Sequence, residues 1–74
     1  MVPAPERSDF LTRRERQVVQ LVVEGCSNDD IANRLNLRPQ TIKNQLTRIY
    51  VKAGVSSRLQ LAVAVMRHGL ADVR

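Results

Sequence analysis

Residues Pro39–Ala53, PQTIKNQLTRIYVKA, constrain what this chain can fold into more than any other stretch. Pro39 and Gly54 bracket a helix. Proline is tolerated at the first helical position, where its missing N–H has no partner to lose. Glycine is the usual residue just past a helix end. At about 100° per residue, Ile42, Leu46, Ile49 and Ala53 fall on one stripe at i, i+4, i+7 and i+11, with Tyr50 at its edge. That stripe requires a core built by other helices. Opposite it lie Gln40, Lys43, Asn44, Thr47 and Val51, and one flank carries Thr41, Gln45, Arg48 and Lys52. The outward arc offers amides, a hydroxyl and a lysine but no acid. Lysine and asparagine can bond the edges of guanine and adenine, so this arc suits a DNA major groove. A solvated helix face is the plain alternative.

The chain has 74 residues, enough for one small domain with a modest core. Helices suit that length, because their contacts are local and need little loop closure. The single cysteine excludes an intrachain disulfide and fits a reducing compartment. The start, MVPAPERSD, has no apolar run of the signal-peptide kind. The longest apolar run, residues 61–66, is far short of the roughly 20 residues that span a bilayer. A cytoplasmic protein with no membrane partner is expected. The net charge of +5 is unevenly distributed: every acid except Asp72 lies at or before Asp30, while Arg34, Arg38, Lys43, Arg48, Lys52, Arg58 and Arg67 follow. So long a one-signed field points to an anionic partner, nucleic acid before membrane. Ordinary solubilising charge is the bland reading.

Taken in order, residues 1–9 are polar and proline-bearing, and read as a disordered linker or N-terminal extension before a domain at 10–74. A first helix follows Thr12 as N-cap, with Glu15 three residues on completing a capping box. Leu11, Val18, Val19 and Val22 give its apolar face, and Gly25 ends it. Glu15 has a second candidate role, an ion pair with some downstream Arg or Lys, although capping alone accounts for it. A second helix opens with Ser27 as N-cap and Asp30 at N3, with Ile31, Ala32 and Leu35 inward. Asp29 and Asp30 are not a convincing metal pair, since adjacent side chains diverge on a helix. Asn36 suits a left-handed turn, Leu37 plugs that turn, and Pro39 starts the third helix. Residues 27–35, a three-residue turn and Pro39–Ala53 thus form a helix-turn-helix. A fourth helix starts at Ser57 as N-cap with Gln60 at N3, and runs to about His68 before Gly69. It is apolar on two sides: Leu61, Ala62 and Val65 on one, Leu59, Val63, Met66 and Leu70 on the other. One side must meet a partner, and periodicity alone does not say which.

The pattern LTRRERQVVQLVVEGCSNDDIANRL…TIKNQLTRIYVKAGVSSRLQLAV resembles the C-terminal effector domain of LuxR/FixJ-type (GerE-like) response regulators and quorum-sensing activators. Its elements here are LTxRE (Leu11, Thr12, Arg14, Glu15), the Gly25–Asn28 turn, Ile31, Ala32 and Leu35, Thr41 to Lys43, Ile49 and Tyr50, Lys52, Gly54 and Val55, and Ser57 and Arg58. The resemblance covers residues 11–70. It implies an all-α four-helix bundle containing a helix-turn-helix, with the third helix in the major groove and a C-terminal dimerisation helix. It implies base contacts from Lys43 and Asn44, with Gln40 and Thr47 beside them. Phosphate contacts would come from Asn28, Thr41, Arg48, Lys52 and Arg58. Leu59, Val63 and Met66 would form the homodimer surface, weak in isolation, which turns Leu61, Ala62 and Val65 toward the core. Its expected setting is the output domain of a two-component response regulator on a pseudo-palindromic site, with double-stranded DNA as partner and RNA polymerase as a further candidate. Three positions depart from the pattern. Gln45 stands where His is common, Arg38 replaces a usual Ser cap, and Ala53 replaces a usual Leu.

No catalytic residue, cofactor or metal site is expected. His68 is the only histidine and Cys26 the only thiol, far apart in sequence, and there is no glycine-rich phosphate loop. Two rivals remain. A σ-factor-like promoter-reading domain shares the helix-turn-helix but has no use for an apolar dimer stripe. A protein-interaction module of the same fold would dock through helix 57–68 and read no DNA.

Overall fold

The computed structural model describes residues 11–68. The expected linker at residues 1–9, the stop at Gly69, Leu70 and the His68 side chain lie outside the described residues. Four helices follow one another, α1 (Arg13–Val23), α2 (Asn28–Leu35), α3 (Pro39–Ala53) and α4 (Arg58–His68), and no strand occurs among the described residues. The all-α bundle with an embedded helix-turn-helix is the fold expected from sequence.

Local chemistry sets the boundaries. Thr12 is extended (φ −68°, ψ 166°); its hydroxyl accepts from Glu15 N at 3.1 Å, while the Glu15 carboxylate accepts from Thr12 N at 2.8 Å. Ser27 and Asp30 repeat the reciprocal pair at the start of α2, at 3.1 and 3.2 Å. Each box satisfies donors that a helix start leaves unpaired. At α4 the Ser57 hydroxyl accepts from Gln60 N at 3.1 Å, but the Gln60 side chain accepts from Ser56 N instead, at 2.7 Å. The start of α3 differs: Arg38 is extended and supplies no side-chain cap, so Pro39 alone marks it.

Three helix ends use one device. Gly25, Asn36 and Gly54 have φ of +92°, +58° and +71°. After each, the next residue's N–H returns to a carbonyl five positions back: Cys26 to Leu21, Leu37 to Ala32, Val55 to Tyr50. This is the Schellman closure. Asparagine serves at the middle position because its short polar side chain tolerates the left-handed region.

The core takes the inward stripe of every helix. Val18, Val19, Ile31, Ile42, Ile49 and Leu61 are fully buried, and Leu11, Val22, Ala32 and Leu46 nearly so. Leu37 and Tyr50 pack at its margin. Buried Ala32 lies on α2, which packs on α3, while α1 packs on α4 and α3. On α4 the inner face is Leu61 with Ala64 and Val65. Ala64 takes the place expected for Ala62. Relative to Leu61, residue 62 is turned by about 100° whereas residue 64 is turned by only about 60°.

Candidate nucleic-acid interface

Helix α3 divides its surface cleanly. Ile42, Leu46 and Ile49 are buried, while Gln40, Lys43, Asn44, Thr47 and Val51 are exposed. Gln40 Nε2 donates to Asn44 Oδ1 at 3.0 Å, one turn apart. That bond orients the Asn44 amide and leaves its two N–H donors and a second lone pair of Oδ1 open. Thr47 Oγ1 donates to the Lys43 carbonyl at 3.1 Å, spending its hydrogen within the helix and keeping its oxygen as an acceptor. No acidic residue occurs anywhere on α3. The four residues singled out for base contact therefore share one exposed, acid-free arc.

The flank is more heterogeneous. Thr41 and Gln45 are half-buried and Arg48 is exposed. Gln45 Oε1 is buried without a hydrogen-bond partner among the described residues. This is the position where the resemblance makes His common.

Two of the residues assigned to phosphates are brought together across the fold. Arg58, at the start of α4, donates from Nη1 to Asn28 Oδ1 at 2.7 Å and from Nη2 to the Cys26 carbonyl. Both bonds bridge some thirty residues of sequence. The guanidinium keeps three of its five N–H donors beyond these two bonds, and Asn28 keeps its amide N–H groups.

Lys52 is held elsewhere. Its Nζ lies 2.8 Å from Glu15 Oε1, the carboxylate that also caps α1. Glu15 is 5% exposed and is the one buried charged residue among those described. Burial pushes its carboxyl up, but the Lys52 hydrogen bond and charge, with the Thr12 bonds, outweigh burial and hold it below its ordinary value. Removing one partner of an enclosed ion pair costs about 3–5 kcal/mol; the cost is smaller here because the Lys52 side chain is 32% exposed. The sequence allowed an ion pair for Glu15 without naming its partner, which stands 37 positions away.

Among the described residues the outward stripe of α4 is largely uncovered. Leu59 is 74% and Met66 71% exposed, and Val63 is half-buried. A shallow depression of about 350 Å³ runs between Val55, Leu59, Val63 and Arg67. A larger groove of about 440 Å³ lies between α1 and α2, lined by Arg13, Arg34, Leu21 and Leu35 among others. Among the described residues no cluster of His, Cys, Asp and Glu could hold a metal ion, and no helix is long and apolar enough to cross a membrane.

Residues 9–65 match the family described as bacterial regulatory proteins, luxR family. An HTH-type transcriptional regulator of Mycobacterium bovis is 51% identical over 59 residues, which are 80% of this chain and 7% of that protein. Response regulator Rre1 of Synechocystis is 34% identical over 70 residues, 95% of this chain and 30% of that protein. The HTH-type transcriptional regulator MalT of Yersinia pestis is 41% identical over 66 residues, 89% of this chain and 7% of that protein. The chain therefore spans only a small part of these relatives. Among solved structures, the transcription factor GerE superposes with a TM-score of 0.75 at 36% identity, covering 82% of this chain and 91% of that one.

Proposed function

Because this chain belongs to the luxR family of bacterial regulatory proteins, helix-turn-helix domains that bind DNA in transcriptional regulators rather than enzymes, we propose that it reads duplex DNA as a dimer with α3 in the major groove. The observation that supports this most is the division of α3: its aliphatic stripe is buried, and Gln40, Lys43, Asn44 and Thr47 stand exposed on an acid-free arc. In this reading Lys43 and the oriented Asn44 amide select bases, with Gln40 and Thr47 beside them. Thr41, Arg48, Asn28 and Arg58 fix the docking position on phosphates. Leu59, Val63 and Met66 pair two copies about a two-fold axis, so that the preferred site is pseudo-palindromic. The domain serves at the output end of a larger regulator; among the relatives named above, the response regulator Rre1 supports a two-component setting.

The exposed stripe on α4 weighs against a σ-factor-like domain acting singly. It is compatible with a docking module that reads no DNA, and one substitution separates the two. Lys43→Ala should weaken binding to a site selected from random duplexes by about 1–3 kcal/mol and relax its base preference. Binding to random DNA should change far less. Equal loss on both would reduce Lys43 to a backbone contact, and no loss on either would favour the docking module.

A further inference from the structure

We infer that Glu15 withholds Lys52 from the DNA backbone and so sets how many phosphates the domain engages. The inference rests on the docking proposed above, in which the flank of α3 faces phosphates. Lys52 lies four residues after Arg48, one turn along the same flank. Two cations spaced in this way would ordinarily both track a strand. Their partners differ. Arg48 is exposed on a helix without acids, whereas Lys52 donates to Glu15 Oε1 at 2.8 Å. Glu15 cannot follow Lys52 outward, because the same oxygen accepts from Thr12 N at 2.8 Å and the residue is buried.

A phosphate that captured Lys52 would leave a buried carboxylate unpaired. Losing the partner of a buried charge outweighs one solvent-screened phosphate contact. As a pair the two side chains carry no net charge and release no counterion on docking. Glu15 therefore has a role in DNA affinity although it touches no DNA: it keeps one lysine of the acid-free half silent.

The test is the salt dependence of binding to a random duplex, measured for the chain as it stands and for Glu15→Gln, Lys52→Gln, the double variant and Arg48→Ala. Glutamine at position 15 preserves the capping bond, since either Glu or Gln completes a capping box. It removes the charge that holds the lysine. Arg48→Ala should flatten the slope of log K against log salt by about one unit. Lys52→Gln should leave that slope unchanged. Glu15→Gln should steepen it by about one unit, equivalent to roughly a fourfold larger loss of affinity between 50 and 200 mM salt. The double variant should return to the parental slope.

If Arg48→Ala leaves the slope unchanged, the docking itself is wrong. If Arg48→Ala flattens it but Lys52→Gln does so equally, or Glu15→Gln fails to steepen it, the docking stands and this inference falls. Should Lys52→Gln melt within the binding range because it leaves the Glu15 carboxylate buried and unpaired, the comparison of the double variant with Arg48→Ala decides alone.

Discussion

Replacing Leu59 with aspartate tests whether α4 pairs two copies of the domain. Leu59 is 74% and Met66 71% exposed. Fully burying such a side chain contributes about 1.5–3 kcal/mol, so roughly 1–2 kcal/mol of each is still available to a partner. A two-fold interface presents both side chains twice, giving about 4–8 kcal/mol in all. Association costs about 4–15 kcal/mol of lost freedom, so the isolated domain should pair only weakly. Leu59→Asp removes about 2–4 kcal/mol of that gain and adds two carboxylates to be desolvated, weakening the dimer by about 30-fold or more. The folded protomer should be nearly indifferent, within about 0.5 kcal/mol, because the side chain projects into solvent. Sedimentation velocity across a concentration series, paired with a thermal melt, reads both quantities. The parent should move toward dimer as concentration rises and the variant should stay monomeric with an unchanged melt. Identical association of the two chains at every concentration, or a melt lowered by more than about 2 kcal/mol, would refute the reasoning.

Three further outcomes concern the fold that supports the interface. Ile49→Ala, at a fully buried position, should cost about 2–5 kcal/mol in urea unfolding; a loss below 1 kcal/mol would remove Ile49 from the core. Gly54→Ala meets no atom within 4 Å of the added Cβ but keeps a φ of +71°, so only backbone strain of about 1 kcal/mol should appear. Gly54→Asn should lose less, as Asn36 already tolerates a φ of +58°, and equal losses for Ala and Asn would contradict this. The Glu15 carboxyl is held below its ordinary value, so its contribution to stability is complete above the unfolded-state value and disappears as pH falls through the folded-state one. Urea midpoints between neutral and strongly acid pH should show that part of the decline vanish in Glu15→Gln, and an unaltered decline would exclude Glu15 as its source.

What the sequence made legible was whatever the chain decides within a few residues. The boxes at Thr12–Glu15 and Ser27–Asp30, the left-handed ends at Gly25, Asn36 and Gly54, and the buried stripe of α3 all follow from spacings of three to eleven positions. Contacts between distant segments were not readable in the same way. Lys52 meets Glu15 and Arg58 meets Asn28 only because the helices cross at particular angles and heights, and no local pattern encodes those. The substitution of Ala64 for Ala62 on the inner face of α4 has a milder cause. In a run of small apolar residues periodicity fixes a stripe only within one neighbour, and docking against α1 selects among them. The exposed arc of α3 was legible as a surface because its complement, the aliphatic stripe, had to be hidden.

The bonds from Arg58 to Asn28 and to the Cys26 carbonyl have a mechanical consequence. They fasten the first turn of α4 to the loop between α1 and α2 and to the first residue of α2, the helix that precedes α3. A pair of such domains joined along α4 would behave as two stiff arms with no slack at the shoulder. The separation of the two half-sites on DNA would then be dictated by the angle at which the α4 helices cross, and a regulator that altered that angle would change which operators the pair can straddle.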